Sequence, residues 1–245
     1  MIFIGIPILN RADLLWSCLA AIDLAADVLI VNNNSIDPQF AHSLERARYE
    51  RLNIRVLHQA RNLGVAASWN LILREGFAAG HQRVFIGSND TVLRPGSLAA
   101  ALAAPTEPDV RVWFLCSHNF FLIDQRAIAD VGWFDENFYP AYKEDQDYSY
   151  RMRLAGVREV NVDGAGGDHF GSATIRSNPL YMARNAVTHG NWNQNHYLMK
   201  WGGDAGAEKF THPYDKPEWD HRFWPDPGGS IEHRDWDRGH LWKRK

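Results

Sequence analysis

Two cysteines in 245 residues, Cys18 and Cys116, are too few for a disulfide framework. Cys18 falls in a helical pattern and Cys116 at a strand end, so both read as reduced, partly buried thiols. A basic surplus is missing too, since 26 Lys and Arg against 29 Asp and Glu leave a formal charge of −3. Nonspecific nucleic-acid binding needs a strong cationic excess, which excludes a generic polyanion binder. No apolar run approaches the ~20 residues of a membrane span. The nine apolar-rich residues at the start lack both a basic flank and a small-residue cleavage site. These absences predict a soluble, cytoplasmic protein. Two phosphate fingerprints are also missing. No G-x-x-x-x-G-K-[ST] occurs and no G-x-G-x-x-G follows the first apolar run, which argues against P-loop kinases and dinucleotide dehydrogenases.

What is present is ordinary in bulk. Hydrophobic residues at 45% and charged residues at 22% sit near the globular average, so disorder and fibrous repeats are excluded. A chain of this length buries roughly 70% of its unfolded surface. The ten tryptophans stand out, five of them from Trp201 onward.

The pattern along the first half alternates in period. Ile2 to Ile6 is a continuous apolar run ended by Pro7, as suits a strand buried on both faces. Leu14, Leu15, Cys18, Leu19 and Ile22 recur at helical spacing. Strands follow at 28–31, 54–57 and 84–86, with helices at 40–49 and 65–77. Strands alternating with helices imply βαβ units and a mostly parallel, doubly wound sheet. Ligands of such sheets sit beyond the carboxyl ends of the strands. Here those ends are rich in Asn, Asp, Ser and Gly. Beyond Asp90 the regularity fades to a helix at 95–104, an antiparallel pair at 110–114 and 119–123, a helix at 144–155 and a strand at 159–162. The pattern divides into a core over 1–175 and an extension over 176–245. The extension is helical from Pro179 to Lys200 and then irregular, Trp- and His-rich.

Five stretches in order resemble the GT-A fold, family 2 glycosyltransferases, which use nucleotide-diphosphate sugars. They are Ile6 to Arg11, Val31 to Asp37, Arg61-Asn62-Leu63-Gly64 with Asn70, Ser88-Asn89-Asp90-Thr91, and Glu144-Asp145-Gln146-Asp147. The resemblance implies an α/β GT-A fold, Rossmann-like, with a small antiparallel part on the acceptor side. It implies donor contacts at Pro7, Asn10 and Arg11, and at Asn32 and Asn34, whose amides can both donate and accept. Asn32 stands where the family usually has Asp. Arg61, Asn62 and Gly64 match the diphosphate side, where a guanidinium and a helix N-terminus both favour phosphate.

Ser88 and Asn89 lead into Asp90 in the slot of the family's D-x-D. The resemblance implies that Asp90 holds a divalent metal, Mn2+ or Mg2+, under the diphosphate. Ser88 replaces the first carboxylate of that motif. Gly166 to Ser172 resembles a Gly/His loop whose His169 completes the metal site, with Asp168 as the alternative ligand. Asp145 matches the catalytic base that deprotonates the acceptor hydroxyl. Glu144 and Trp133 are placed on the acceptor side, and Asp147 is expected to pair with Arg151, its i+4 neighbour.

The expected activity is therefore sugar transfer from a nucleotide-diphosphate donor, a UDP-sugar above all. The transfer would be metal-dependent and inverting, and the acceptor a glycan, protein or modified DNA. Tyr197, Lys200, Trp201, Gly202 and Gly203 resemble the Y-x-x-K-W-G-G region of a phage-associated branch, which would place the protein in a host cytoplasm. Two alternatives stay open at this stage. One is a non-catalytic nucleotide-sugar-binding module on the same fold, the other a phage DNA-modifying glycosyltransferase. The six His from His189 to His240 lack zinc-ligand spacing with Cys, and Lys243-Arg244-Lys245 is too short a basic end to imply nucleic acid.

Overall fold

The computed structural model describes residues 1–42 and 51–222. Most of the expected helix over 40–49 lies outside that range, as does the tail from 223 with its Trp, His and basic residues. Strand β1 (Ile2–Ile8) has β2 (Ala26–Asn32) on one side and β4 (Arg83–Gly87) on the other, both parallel to it. Strand β3 (Leu52–His58) extends the parallel part beyond β2. On the other flank β7 (Phe120–Asp124) runs antiparallel to both β4 and β6 (Val110–Phe114), and β8 (Arg158–Asn161) closes the edge parallel to β6. The order is β3-β2-β1-β4-β7-β6-β8.

Successive strand residues point to opposite faces, which creates two apolar layers. Ile4, Ile6 and Ile8 of β1 join Leu15, Cys18 and Leu19 of α1 (Ala12–Ala20) and Leu98 of α3 (Ser97–Ala103). Phe3, Leu29 and Val84 face the other way, onto Trp69, Ile72 and Leu73 of α2 (Val65–Ala78). The second layer also receives Ala127 of α4 (Arg126–Asp130) and Tyr148 and Met152 of α5 (Glu144–Leu154). Gly5 is where α2 comes closest to the sheet, because a Cβ there would lie 2.0 Å from Ile72 Cγ2. Cys18 is fully buried and its thiol is pushed up to about 12, first by burial and then by the charge of Asp90. It is an inert reduced thiol.

Three features depart from the sequence pattern. A separate two-stranded antiparallel sheet joins β5 (Thr91–Leu93) to β9 (Gly167–His169). The single helix expected over 179–200 is three segments, α7 (Pro179–Val187), a π-helical stretch Thr188–Asn193 and α8 (Gln194–Trp201). The Thr188 hydroxyl donates to the carbonyls of Arg184 and Asn185 at 3.1 and 3.3 Å, in competition with the backbone, where the π-helical stretch begins. A short α6 (Ala173–Arg176) also precedes α7. No helix among the described residues is long and apolar enough to cross a membrane.

Candidate active site

The chain runs β1, β2, β3 outward and then returns to the far side of β1 as β4, so the strand order reverses between β1 and β4. That reversal point is where open α/β sheets leave a crevice beyond their carboxyl ends. A cavity of about 670 Å³ lies there. Pro7 from β1, Asn34 after β2, Asn62 and Gly64 before α2, and Ser88, Asn89 and Asp90 after β4 all line it. So do Glu144 and Asp145 at the start of α5 and His169 at the end of β9.

The small sheet explains how His169 arrives. Its register sets Thr91 opposite His169, and Phe170 N donates to Asp90 O at 3.0 Å. His169 Nε2 then lies 3.2 Å from Asp90 Oδ1. Burial works against a charged Asp90, but hydrogen bonds from His169 and Ser88 outweigh it and hold the carboxyl below its usual range. The Ser88 hydroxyl donates to Asp90 Oδ1, and Ala173 N at the head of α6 donates to Oδ2 at 3.3 Å. Asp168, the neighbour of His169, is exposed and does not line the cavity.

Gly64 is fixed by its surroundings. Its φ is +82°, and a Cβ would meet Tyr139 Cδ2 at 2.8 Å and Pro140 O at 2.9 Å. The loop carrying Tyr139 and Pro140 is therefore pressed onto the head of α2, where Val65 N donates to Pro140 O at 2.8 Å. The same loop enters α5 through Tyr142 and Lys143, both left-handed at φ 78°. Such strain in bulky residues persists only where surrounding contacts enforce it. Asn193 Nδ2 supplies two of them, donating to Ala141 O at 2.8 Å and Tyr142 O at 3.1 Å.

The acids at the head of α5 divide by environment. Glu144 is buried, its Oε2 has no partner, and burial with the charge of Asp145 pushes its carboxyl well above the ordinary range. Asp145 is half-exposed and accepts from Gln146 N at 2.8 Å. The raised Glu144 has a thermodynamic consequence. Unfolded, it ionises at about 4.3, so its folded state loses stability as pH rises from there through the raised folded value. Glu144→Gln is expected to melt above the wild type at pH 8, and thermal scans should show that advantage shrinking towards pH 4.

Five expected residues lie elsewhere. Asn32 turns inward, accepting from Ser35 N at 2.8 Å and lying 3.2 Å from His58 Nδ1. Asn10 holds the following turn, accepting from Ile36 N at 2.9 Å and donating to Tyr181 OH at 3.0 Å. Arg11 pairs with Asp13 at 2.7 Å on the rim of a second, smaller cavity. Arg61 is exposed and outside the cavity lining. Trp133 packs beneath the Arg74 guanidinium, 4.8 Å from its ring centroid, also outside the lining.

Other residues take wall positions that spacing did not single out. Asn33 is buried, bonded to Ser68 at 2.9 Å and to Leu63 N at 3.0 Å. Trp69 and His118 form an aromatic wall, and Tyr181 and Arg184 of α7 close one side. An amphipathic reading of 179–188 around Leu180, Arg184 and Thr188 was the available signal for α7.

Residues 3–117 match the profile of Glycosyl transferase family 2, a span that ends before Asp145 and His169. A 55-residue stretch is 44% identical to a galactofuranosyl glycosyltransferase of Leishmania donovani, covering 22% of this chain and 13% of that protein. Among solved structures, S. aureus TarS in complex with UDP-GlcNAc superposes with a TM-score of 0.53 at 20% identity. That match covers 78% of this chain and 67% of the solved TarS 1–349 chain. The UDP complex of the same TarS 1–349 chain gives 0.54 at 19% identity over 67% of this chain and 59% of that one. The shared architecture is the α/β GT-A fold, with a mostly parallel sheet and a small antiparallel one.

Proposed function

We propose that the protein transfers a sugar from a nucleotide-diphosphate sugar, a UDP-sugar first of all, to an acceptor hydroxyl with inversion. The observation that carries this is convergence: the Asp90–His169 pair and the Glu144–Asp145 pair line one cavity at the strand-order reversal. The family 2 profile over the first half supports transfer chemistry, and TarS bound to UDP and UDP-GlcNAc supports a uridine donor.

A divalent cation fits the first pair. No group of three or more His, Cys, Asp or Glu able to hold a metal occurs among the described residues. Mg2+ and its analogues need only one or two protein ligands when substrate phosphates complete the shell. Asp90 and His169 would hold it, and its chemistry there is to offset charge on the departing diphosphate.

The chain's own groups do the rest. Asp145 accepts the proton of the acceptor hydroxyl. The freed oxygen pair attacks the anomeric carbon on the face opposite the diphosphate, and the bond to the diphosphate breaks with its electrons. Glu144, whose carboxyl burial raises well above the ordinary range, stands beside Asp145, the arrangement in which neighbouring acids take different roles.

Melting curves with UDP and Mn2+ test the donor site. UDP at a hundred times its Kd should add about 2.7 kcal/mol of stability, and Asp90→Ala should remove the Mn2+-dependent part. If neither UDP nor any other nucleoside diphosphate shifts the melting point, the proposal fails.

A further inference from the structure

The turn between β6 and β7 passes through Cys116 to Asn119, with Ser117 left-handed at φ 50°, and brings His118 to the wall of the cavity that Asp145 also lines. Three aromatic rings fix the imidazole. Trp69 stacks on it with centroids 6.3 Å apart and planes 18° from parallel. Phe114 and Phe121 meet it edge-on at 4.6 and 5.4 Å.

Neither ring nitrogen has a hydrogen-bond partner among the described residues, and Nε2 is closed off from solvent. A cage of three aromatics that required only packing would be filled better by Phe. A sealed nitrogen without a partner destabilises the fold, whereas Nδ1, neither sealed nor partnered, is free to meet a ligand in the cavity. Burial pulls the imidazole below its usual pKa, against the charges of Asp145 and Glu159. Neutral imidazole offers one N–H and one lone pair.

We propose that His118 is a further catalytic residue, its Nδ1–H donating to the oxygen of the incoming hydroxyl while Asp145 takes that hydroxyl's proton. This rests on the glycosyl-transfer reading above. The bookkeeping is simple in atoms. The O–H proton passes to the Asp145 carboxylate, the oxygen forms the new bond to the anomeric carbon, and the bond to the diphosphate breaks with its electron pair. His118 neither gains nor loses a proton. Two hydrogen bonds fix the hydroxyl so that its remaining lone pair faces the anomeric carbon, which is an orientation effect. The same geometry holds for water when no acceptor is present.

The test is therefore hydrolysis of UDP-glucose, UDP-galactose and UDP-GlcNAc with Mn2+ by the wild type, His118→Phe and His118→Gln. His118→Phe should lower kcat about tenfold, the value of one hydrogen bond of ordinary strength. Its donor KM should stay within about twofold, as expected when an interaction with the nucleophile rather than the donor is lost. It should melt at or above the wild type, since a partnerless nitrogen has gone. His118→Gln restores an N–H and should retain more kcat than Phe while melting lower. Activity that follows melting temperature instead, with Gln below Phe, overturns the proposal, as does a His118→Phe kcat close to the wild type. Asp145→Asn separates the two readings. If it abolishes hydrolysis while His118→Phe does not lower it, transfer stands and the role of His118 falls. If the wild type hydrolyses none of the three donors while UDP still raises its melting point, the donor site stands and the role given to His118 falls.

Discussion

Asp145→Asn is expected to lower kcat for sugar transfer by about 10²–10⁴-fold, the usual contribution of a general base. The substitution is close to isosteric, and the carbonyl oxygen of Asn can still accept from Gln146 N, which bonds Asp145 Oδ1 at 2.8 Å. What is lost is the ability to take a proton. Glu144 is a poor replacement, because burial, the larger cause, still raises its carboxyl once the charge of Asp145, which raises it further, is gone. Donor affinity should stay within a few-fold, since Asp90 and the strand-end loops are untouched. Calorimetric titration with UDP beside initial-rate kinetics distinguishes the two effects. A fall in kcat below about tenfold would remove Asp145 from the role of base.

Strands β1, β2 and β4 could be read directly because each is buried on both faces and so appears as an unbroken apolar run. Once those were placed, the polar residues after them had to meet at the strand-order reversal, and Asn34 after β2 and Asp90 after β4 do. The acid pair was readable for another reason. It opens a helix, where acids complement the dipole, and Asp147 pairs with Arg151 at 2.8 Å as its spacing implies.

The part that escaped the pattern depends on tertiary register. β5 and β9 are three residues each, too short to show a period, and their pairing alone determines that His169 rather than Asp168 reaches Asp90. Arg61 and Arg184 show the same limit. Both are cationic and both lie near helix ends, but only the path of α7 over the cavity brings Arg184 to the wall, while Arg61 stays exposed. Asn32 and Asn33 differ by one position in a turn, and it is Asn33 that lines the cavity.

Lys200→Met is expected to destabilise the protein by about 3–5 kcal/mol at pH 7, the cost of leaving a buried charge unpaired. Lys200 is fully buried, and its Nζ lies 2.9 Å from Asp135 Oδ2 and 2.7 Å from Asp147 Oδ1. Asp147 also receives Arg151 Nε at 2.8 Å and Trp201 Nε1 at 2.8 Å, and Asp135 lies 2.9 Å from His196 Nε2. Two buried carboxylates thus share two cations, and α8 is bound through them to α5, the helix that presents Asp145. At about 2–4 °C per kcal/mol for a chain of this size, the melting point should fall by roughly 6–20 °C. The loss depends on pH in a determined direction. Burial opposes the charge of Asp135, yet Lys200 and His196 together hold its carboxyl well below the ordinary range. Its contribution is therefore present above the unfolded carboxylate value and disappears as pH falls through the depressed folded value. The deficit of Lys200→Met should be largest near neutrality and narrow in acid. Asp135→Asn added to Lys200→Met removes the stranded charge and should recover part of the loss, since the two residues are in contact and not additive. A single variant that melts within 2 °C of the wild type at pH 7 would show that this network does not hold α8 to the core.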